Sequence, residues 1–205
     1  MPEILAYTGG IAATNGYLLS LPGGTVLVDA PDGVAAWLKK QNLKVDALFL
    51  THQHFDHVLD AAAVKADHGC RVFAFVAFSH DLTLERLYGA VTGSPFSVPD
   101  FEVDEILEGK DTLEAVGETW KLYHVPGHSP DSLCFHLEAQ NLLFDGDVLF
   151  LDGVGRTDFP GGSTQQLLTG IEEKLFLLPD MTRVFPGHGD DTKIGRERME
   201  NPFLT

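Results

Sequence analysis

Residues 51–57 read Thr-His-Gln-His-Phe-Asp-His, which places His52, His54, Asp56 and His57 within six positions, directly behind the apolar run at 45–50. Imidazole and carboxylate are ligands of zinc and iron, and a tight cluster of them on a loop after a strand can wrap a metal. A lone histidine there would read as structural; three with an aspartate at this spacing read as a ligand cluster. Three further segments repeat the pattern of apolar strand, sharp turn and ligand-type residue. Residues 122–125 run into Pro126-Gly127-His128, 142–144 into Asp145-Gly146-Asp147, and 183–185 into Pro186-Gly187-His188. Loops beyond strand ends are where α/β folds place their sites.

Five histidines and two aspartates are more than one tetrahedral zinc needs. They suit two divalent metal ions with one carboxylate between them. Asp147 is the expected bridge, because it alone among the candidates lies mid-chain where it can serve both halves. His52, His54 and His128 are assigned to the first metal, and Asp56, His57 and His188 to the second. A water between two such cations becomes hydroxide near neutral pH, and the cations polarise a carbonyl: the chemistry of metal-assisted hydrolysis. No separate general base is then required, and Asp56 is expected to orient the hydroxide as well as bind metal. Zinc is the default for hydrolysis; iron and manganese suit the same donors.

The elements that must position these residues alternate along the chain. Strands are expected at 15–21 and 25–29, joined by Pro22-Gly23-Gly24, then a helix at 34–41 and a strand at 45–50 that is apolar at nearly every position. Such a run needs cover on both faces. A helix at 57–68, a strand at 71–76 and a helix at 79–88 capped by Ser79 follow. Residues 89–100, rich in Gly, Ser and Pro, read as a loop. Strands are expected near 102–107, 112–116, 120–125, 132–137 and 141–144. A helix at 164–177 capped by Ser163 and a strand at 183–185 complete the pattern, and the tail at 193–198 has basic residues suited to a last helical turn. Strands with helices over both outer faces make a layered α/β protein.

Composition narrows the function. A chain of 205 residues, 44% hydrophobic, can bury one substantial core, so a single domain over 1–205 is expected. A formal net charge of −16 lacks the basic track that nucleic acid requires. No apolar run approaches a membrane span, and the N-terminus lacks a basic segment followed by an apolar one, so a cytoplasmic protein is expected. Cys70 and Cys134, far apart and in apolar surroundings, read as buried free thiols. His68, His80, His124 and His136 lie within expected helices and strands and read as structural. Phe55, between ligands, is expected at the mouth of the pocket. A monomer or small homo-oligomer is expected.

His52-x-His54-x-Asp56-His57, followed by His128, Asp147 and His188, resembles the metallo-β-lactamase superfamily over essentially the whole chain. The resemblance implies a four-layer αββα sandwich. Classical cysteine-containing zinc β-lactamases lack the Asp-His pair, and flavodiiron proteins carry a glutamate where this chain has His54. The order here is similar to short bacterial glyoxalase II-like enzymes, which implies hydrolysis of thioesters, S-acylglutathione above all, by a metal-bridging hydroxide. The stretch Gly153-Val154-Gly155-Arg156 resembles a glyoxalase II segment whose basic residue binds glutathione, which makes Arg156 the substrate-binding candidate; the other reading is a local pair with Asp158. The C-terminal helical domain of glyoxalase II is not expected in this chain. The wording Gly155-Arg156-Thr157-Asp158-Phe159 is closer to persulfide dioxygenases, which implies an alternative: one iron held by two of the histidines and Asp147, acting with oxygen. A metal-stabilised scaffold without turnover is the third possibility.

Overall fold

The structure, a computed structural model, describes residues 2–204. The first half supplies β1 (Glu3–Gly9), β2 (Thr14–Leu21), β3 (Gly24–Val28), α1 (Val34–Gln41), β4 (Ala47–Phe49), α2 (Phe55–Val58), α3 (Ala61–His68), β5 (Arg71–Ala74), α4 (His80–Thr83), α5 (Glu85–Thr92) and β6 (Glu105–Ile106). Its six strands form one sheet in chain order, with β1 to β3 antiparallel and β3 to β6 parallel. The second half supplies β7 (Thr112–Ala115), β8 (Glu118–His124), β9 (Leu133–Leu137), β10 (Leu142–Gly146), β11 (Leu149–Phe150), β12 (Gly153–Val154), α6 (Thr164–Gly170), β13 (Arg183–Pro186), β14 (Thr192–Lys193) and α7 (Ile194–Glu200). Its main sheet has the order β14-β13-β10-β9-β8-β7, and β11 and β12 pair as a separate hairpin.

The apolar pattern explains why the two sheets stack. Along β2 to β4, Leu19, Val26, Val28, Ala47 and Phe49 enter the space between the sheets, while Leu18, Leu27, Leu48 and Leu50 pack with Val34 and Leu38 of α1 and Val64 of α3. Successive side chains alternate between faces, so a strand covered on both must be apolar throughout. The second sheet does the same. Phe135, Leu142 and Phe144 face inward, and Cys134, Leu143 and Val184 meet Leu167 of α6 and Ile194 of α7. Helices, two sheets and helices therefore form four layers, as the sequence implied. Between the sheets, Phe49 stacks on Phe135 at 4.8 Å and meets Phe73 and Trp120 edge-on at 5.3 and 5.1 Å. Both cysteines are buried and free, as expected. No helix among the described residues is long and apolar enough to cross a membrane.

Several elements depart from the sequence expectation. The helix expected at 57–68 is broken: Asp60 sits outside the helical region and its carboxylate accepts the Ala35 amide at 3.0 Å, tying the break to the start of α1. The helix expected at 79–88 keeps its Ser79 cap but is cut by Leu84, whose φ of 59° is left-handed. The chain then resumes as α5 and runs on to Thr92, into the expected loop, until Gly93 ends it. The helix expected at 164–177, capped by Ser163 as read, becomes a π turn at Ile171–Leu175. The strand β1, the β11–β12 hairpin and β14 were not expected. β1 alternates half-buried and exposed residues at the sheet edge, so its apolar signal is diluted.

Phe49 joins β4 to both sheets, so Phe49→Ala is expected to lower unfolding stability by about 3–5 kcal/mol, measured by chemical denaturation. The metal ligands themselves are untouched by this change.

Candidate metal centre

β4, β8, β10 and β13 end at the same rim of the sandwich, and each hands its following turn to one cluster. Within it His52, His54 and His128 converge, His52, His57 and Asp147 converge, and Asp56, His57 and His188 converge, with one ligand atom from each member within 4.8 Å of the others. All seven residues singled out from the sequence are therefore brought together, and the first and third trios are the two sets assigned from spacing. Asp147 lies between them. Its Oδ2 is 3.3 Å from His128 Nε2 and 3.3 Å from His188 Nε2, and its Oδ1 is 3.3 Å from His57 Nε2.

Those separations fit a metal centre better than a hydrogen-bonded core. A good N–H···O bond is shorter, whereas donors bound tetrahedrally at about 2.0–2.1 Å stand about 3.3 Å apart along each edge. His52 Nε2, His57 Nε2 and Asp147 Oδ1 are buried with no hydrogen-bond partner. Buried polar atoms are normally satisfied, and three orphans aimed into one space are the donors that a cation would satisfy. The donors fit a pair of divalent metals.

Outer residues fix which ring nitrogen three of the histidines present. His57 Nδ1 donates to Asp29 Oδ2 at 2.8 Å, leaving Nε2 for the centre. Asp29 also accepts from the Thr51 amide and hydroxyl, at 2.8 and 2.7 Å, and Thr51 Oγ1 lies 3.2 Å from His52 Nδ1. One buried carboxylate thus orients two ligands at once, a common device for ligating histidines. His128 Nδ1 is held by the carbonyl of Arg156 at 2.8 Å. On the other side, the Thr14 hydroxyl donates to Asp56 Oδ2 at 2.7 Å, and Thr14 forms a bridge with His188. The turn carrying His188 is clamped by the Asn15 amide on Gly187 O at 2.7 Å and the Tyr17 hydroxyl on Pro186 O at 2.8 Å.

Sequence reading missed Asp29, Thr51, Thr14 and Asn15. Asp29 had one local sign: it directly follows the apolar run of β3, as the ligands follow theirs. Its left-handed φ of 59° is visible only in three dimensions. The remaining histidines lie outside the centre. His124 stacks on Phe75 at 3.9 Å, His80 pairs with Asp100 at 2.7 Å, and His136 is buried under the second sheet.

Without metal, charge within the cluster is uneven. Burial pushes the His52 and His54 imidazoles down, His54 to about 3, with neighbouring imidazoles adding to it. Burial opposes charge on Asp56 and Asp147 too, but His57 and His188 outweigh it, holding Asp56 at about 2 and Asp147 well below its usual range. His57 is held well above its ordinary value because three aspartates outweigh its burial, and Asp147 and Asp56 raise His188 to about 9. The second trio therefore holds protons at pH 7 where the first does not.

Beside the cluster lies a cavity of ≈ 420 Å³ bordered by His54, Phe55, Asp56, Tyr88, Arg156 and Phe159, among others. Phe55 lines it. Arg156 borders the same space, but its guanidinium is engaged: Nε and Nη2 donate to the two oxygens of Asp158, each at 2.7 Å, and the group lies 4.1 Å over the Phe159 ring. The local pair with Asp158 is thus the reading of Arg156 that the structure shows, and the residue also borders the cavity.

A model of the metallo-β-lactamase superfamily matches residues 9–188. The chain belongs to this superfamily. Among its relatives, GloC of Haemophilus influenzae, a hydroxyacylglutathione hydrolase, is 35% identical over 173 residues, covering 82% of this chain and 79% of that one. The BLEG-1 B3 metallo-β-lactamase structure superposes with a TM-score of 0.87 at 32% identity, covering 99% of this chain and all of that one. TTHA1623, solved in a di-iron-bound form, gives a TM-score of 0.83 at 34% identity, covering 98% and 100%. The superfamily assignment agrees with the four layers and with ligands carried at one rim.

Two outcomes are expected from this geometry. A Cβ on Gly187 would intrude on the Asp147 carboxylate and the His57 ring. Gly187→Ala should therefore lose most bound metal by elemental analysis while retaining the secondary structure seen by circular dichroism. Metal must also displace the protons on His57 and His188, so binding at pH 7 should release protons, measured by calorimetry in buffers of different ionisation enthalpy. His188 is raised from 6.5 to about 9, so its contribution to metal-free stability is full below pH 6.5 and lost as pH rises through about 9. Asp56 is lowered from 3.8 to about 2, so its contribution is full above pH 3.8 and lost as pH falls through about 2. For these two groups the metal-free protein is most stable between those limits, while metal affinity should climb with pH up to about 9.

Proposed function

We propose that this protein is a metal-dependent hydrolase of thioesters, with S-acylglutathione among its substrates. The observation that carries the reading is Asp147 Oδ2, equidistant at 3.3 Å from an imidazole of each trio. His52, His54 and His128 would hold one divalent metal, Asp56, His57 and His188 the other, and Asp147 both. Zinc is the proposed occupant; the di-iron form of TTHA1623 keeps iron as the competing one. Two such cations supply a hydroxide at neutral pH and a Lewis acid for a carbonyl oxygen.

The chain's own residues do the rest. The Thr14 hydroxyl fixes one oxygen of Asp56, so this carboxylate has a defined orientation toward the attacking water. The cavity beside His54 and Asp56 holds the thioester with its carbonyl at the cluster. Water adds to the carbonyl carbon, a C–O bond forms, the C–S bond breaks, and the electron pair leaves with sulfur. Free thiols have a pKa near 8.5, so the thiolate departs without a dedicated acid and takes its proton from water. The products are a carboxylic acid and a thiol. The similarity to GloC supports this reaction class.

Arg156, Asp158 and Phe159 of the Gly155-Arg156-Thr157-Asp158-Phe159 stretch line the cavity, and the resemblance of that stretch favours a second reading as a persulfide dioxygenase with a single iron. The reactions separate cleanly. The metal-loaded protein should release thiol from S-lactoylglutathione or a simpler acyl thioester and consume no oxygen with glutathione persulfide. One iron per chain with oxygen uptake, or no turnover across a thioester panel, overturns the proposal.

The two-site assignment has its own test. Asp147→Asn should weaken both metals, because the amide loses the charge that offsets two dications. His188→Ala should empty mainly the second site. Metal stoichiometry after dialysis measures both; equal losses in the two variants refute the division.

A further inference from the structure

The cavity beside the cluster has a wall that catalysis as described does not use. It is made by α5, which turns Leu87 and Val91 outward at i and i+4, on one face of the helix. Leu87 is 40% exposed and Val91 80%. Singly exposed apolar residues are ordinary, but these two border the same ≈ 420 Å³ space as Phe55 and Phe159 and as His54 and Asp56 of the metal cluster. A concave apolar surface beside a few polar groups is the usual form of a small-molecule site. Leu84 sets the placement: its left-handed turn ends α4 and redirects the chain so that α5 begins at the cavity.

The charges in this space point the same way. Among the residues lining it Arg156 is the one arginine or lysine, and Asp158 takes its Nε and Nη2 donors. Asp56 and Asp158 are its carboxylates. A ligand arm bearing carboxylates, such as a peptide thiol, finds the one guanidinium already paired and the Asp158 carboxylate beside it a like charge. An uncharged apolar arm finds Leu87, Val91, Phe55 and Phe159. Thiol carriers are the polar half of a biological thioester, so the apolar half is the acyl chain.

We infer that the cavity between α5 and the Arg156–Phe159 rim is an acyl-chain subsite, which makes thioesters of uncharged, aliphatic carboxylic acids the preferred substrates. The inference rests on the thioesterase reading and refines it. Each methylene buried in the subsite should raise kcat/KM about fourfold, from an apolar burial worth about 0.8 kcal/mol.

The experiment uses the metal-loaded full chain and one thiol, N-acetylcysteamine, carrying acetyl, butyryl, hexanoyl or octanoyl groups. Specificity should rise along the series, and Val91→Asp should cut the octanoyl-to-acetyl ratio at least about tenfold. Leu177→Asp, at an exposed apolar position outside the cavity, should leave the ratio unchanged. Calorimetry of acetate and octanoate binding to the same protein tests the subsite apart from turnover: octanoate should bind more tightly, and less so in Val91→Asp. Hydrolysis with no dependence on chain length overturns the subsite and leaves the thioesterase reading standing. Tighter binding of octanoate without hydrolysis of any thioester supports the subsite as an apolar acid site and overturns the thioesterase reading. Equal binding of the two acids overturns the subsite whatever the turnover.

Discussion

The carboxylate of Asp147 is held, buried, where two sets of imidazoles meet. An anion in that position is tolerable only while positive charge surrounds it, since an isolated buried charge costs many kcal/mol. In the metal-free protein the charge comes from protons on His57 and His188; in the loaded protein it would come from dications. Both states demand the same closely spaced donors. The neighbouring turns are built to that demand: Gly187 has no Cβ where one would displace the carboxylate, and the backbone of Gly187 is tied to Gly146 O at 2.8 Å.

Rigidity at the rim comes from the layers beneath. Each ligand turn follows a strand whose inward side chains are locked between the sheets and whose outward ones are covered by helices. The turns therefore leave the sheets at fixed points, and the polar clamps need only set the last torsions. Asp29 does this for His57 and, through Thr51, for His52, while Thr14 and Asn15 on β2 do it for Asp56 and the His188 turn. The two clamps come from the first sheet, yet the His188 turn belongs to the second. Sheet stacking and ligand geometry are thus mechanically one problem.

The cavity at the rim illustrates how one fold can serve different chemistries. One side is formed by His54 and Asp56 of the cluster, and its outer side by two pieces, α5 and the segment from Arg156 to Phe159. Changes in either would leave the centre intact and alter what is presented to it. That separation is why the superfamily and the metal cluster do not by themselves set the substrate.

The clustering of these histidines and aspartates and the layered α/β architecture were legible in the sequence because each rests on a local signal. His52-x-His54-x-Asp56-His57 is contiguous, the Pro-Gly-His turns sit directly behind apolar strands, and strands buried on both faces are apolar at every position. The interruption of α4 and α5 at Leu84, the break at Asp60 and the edge strand β1 were not legible. Nothing in a leucine marks a left-handed turn, and Asp60 leaves the helix for a partner twenty-five residues away. The clamps were hidden for the same reason: Asp29 and His57, or Thr14 and Asp56, become neighbours only once the sheet is formed. Arg156 shows the limit most directly. Its type and position were on view in the chain, but whether its fork is free or held by Asp158 depends on the turn between them. Sequence determines which side chains can bind metal, since that is chemistry carried by each residue; tertiary structure decides which nitrogen faces the centre and which walls face the substrate, since those depend on contacts between distant segments.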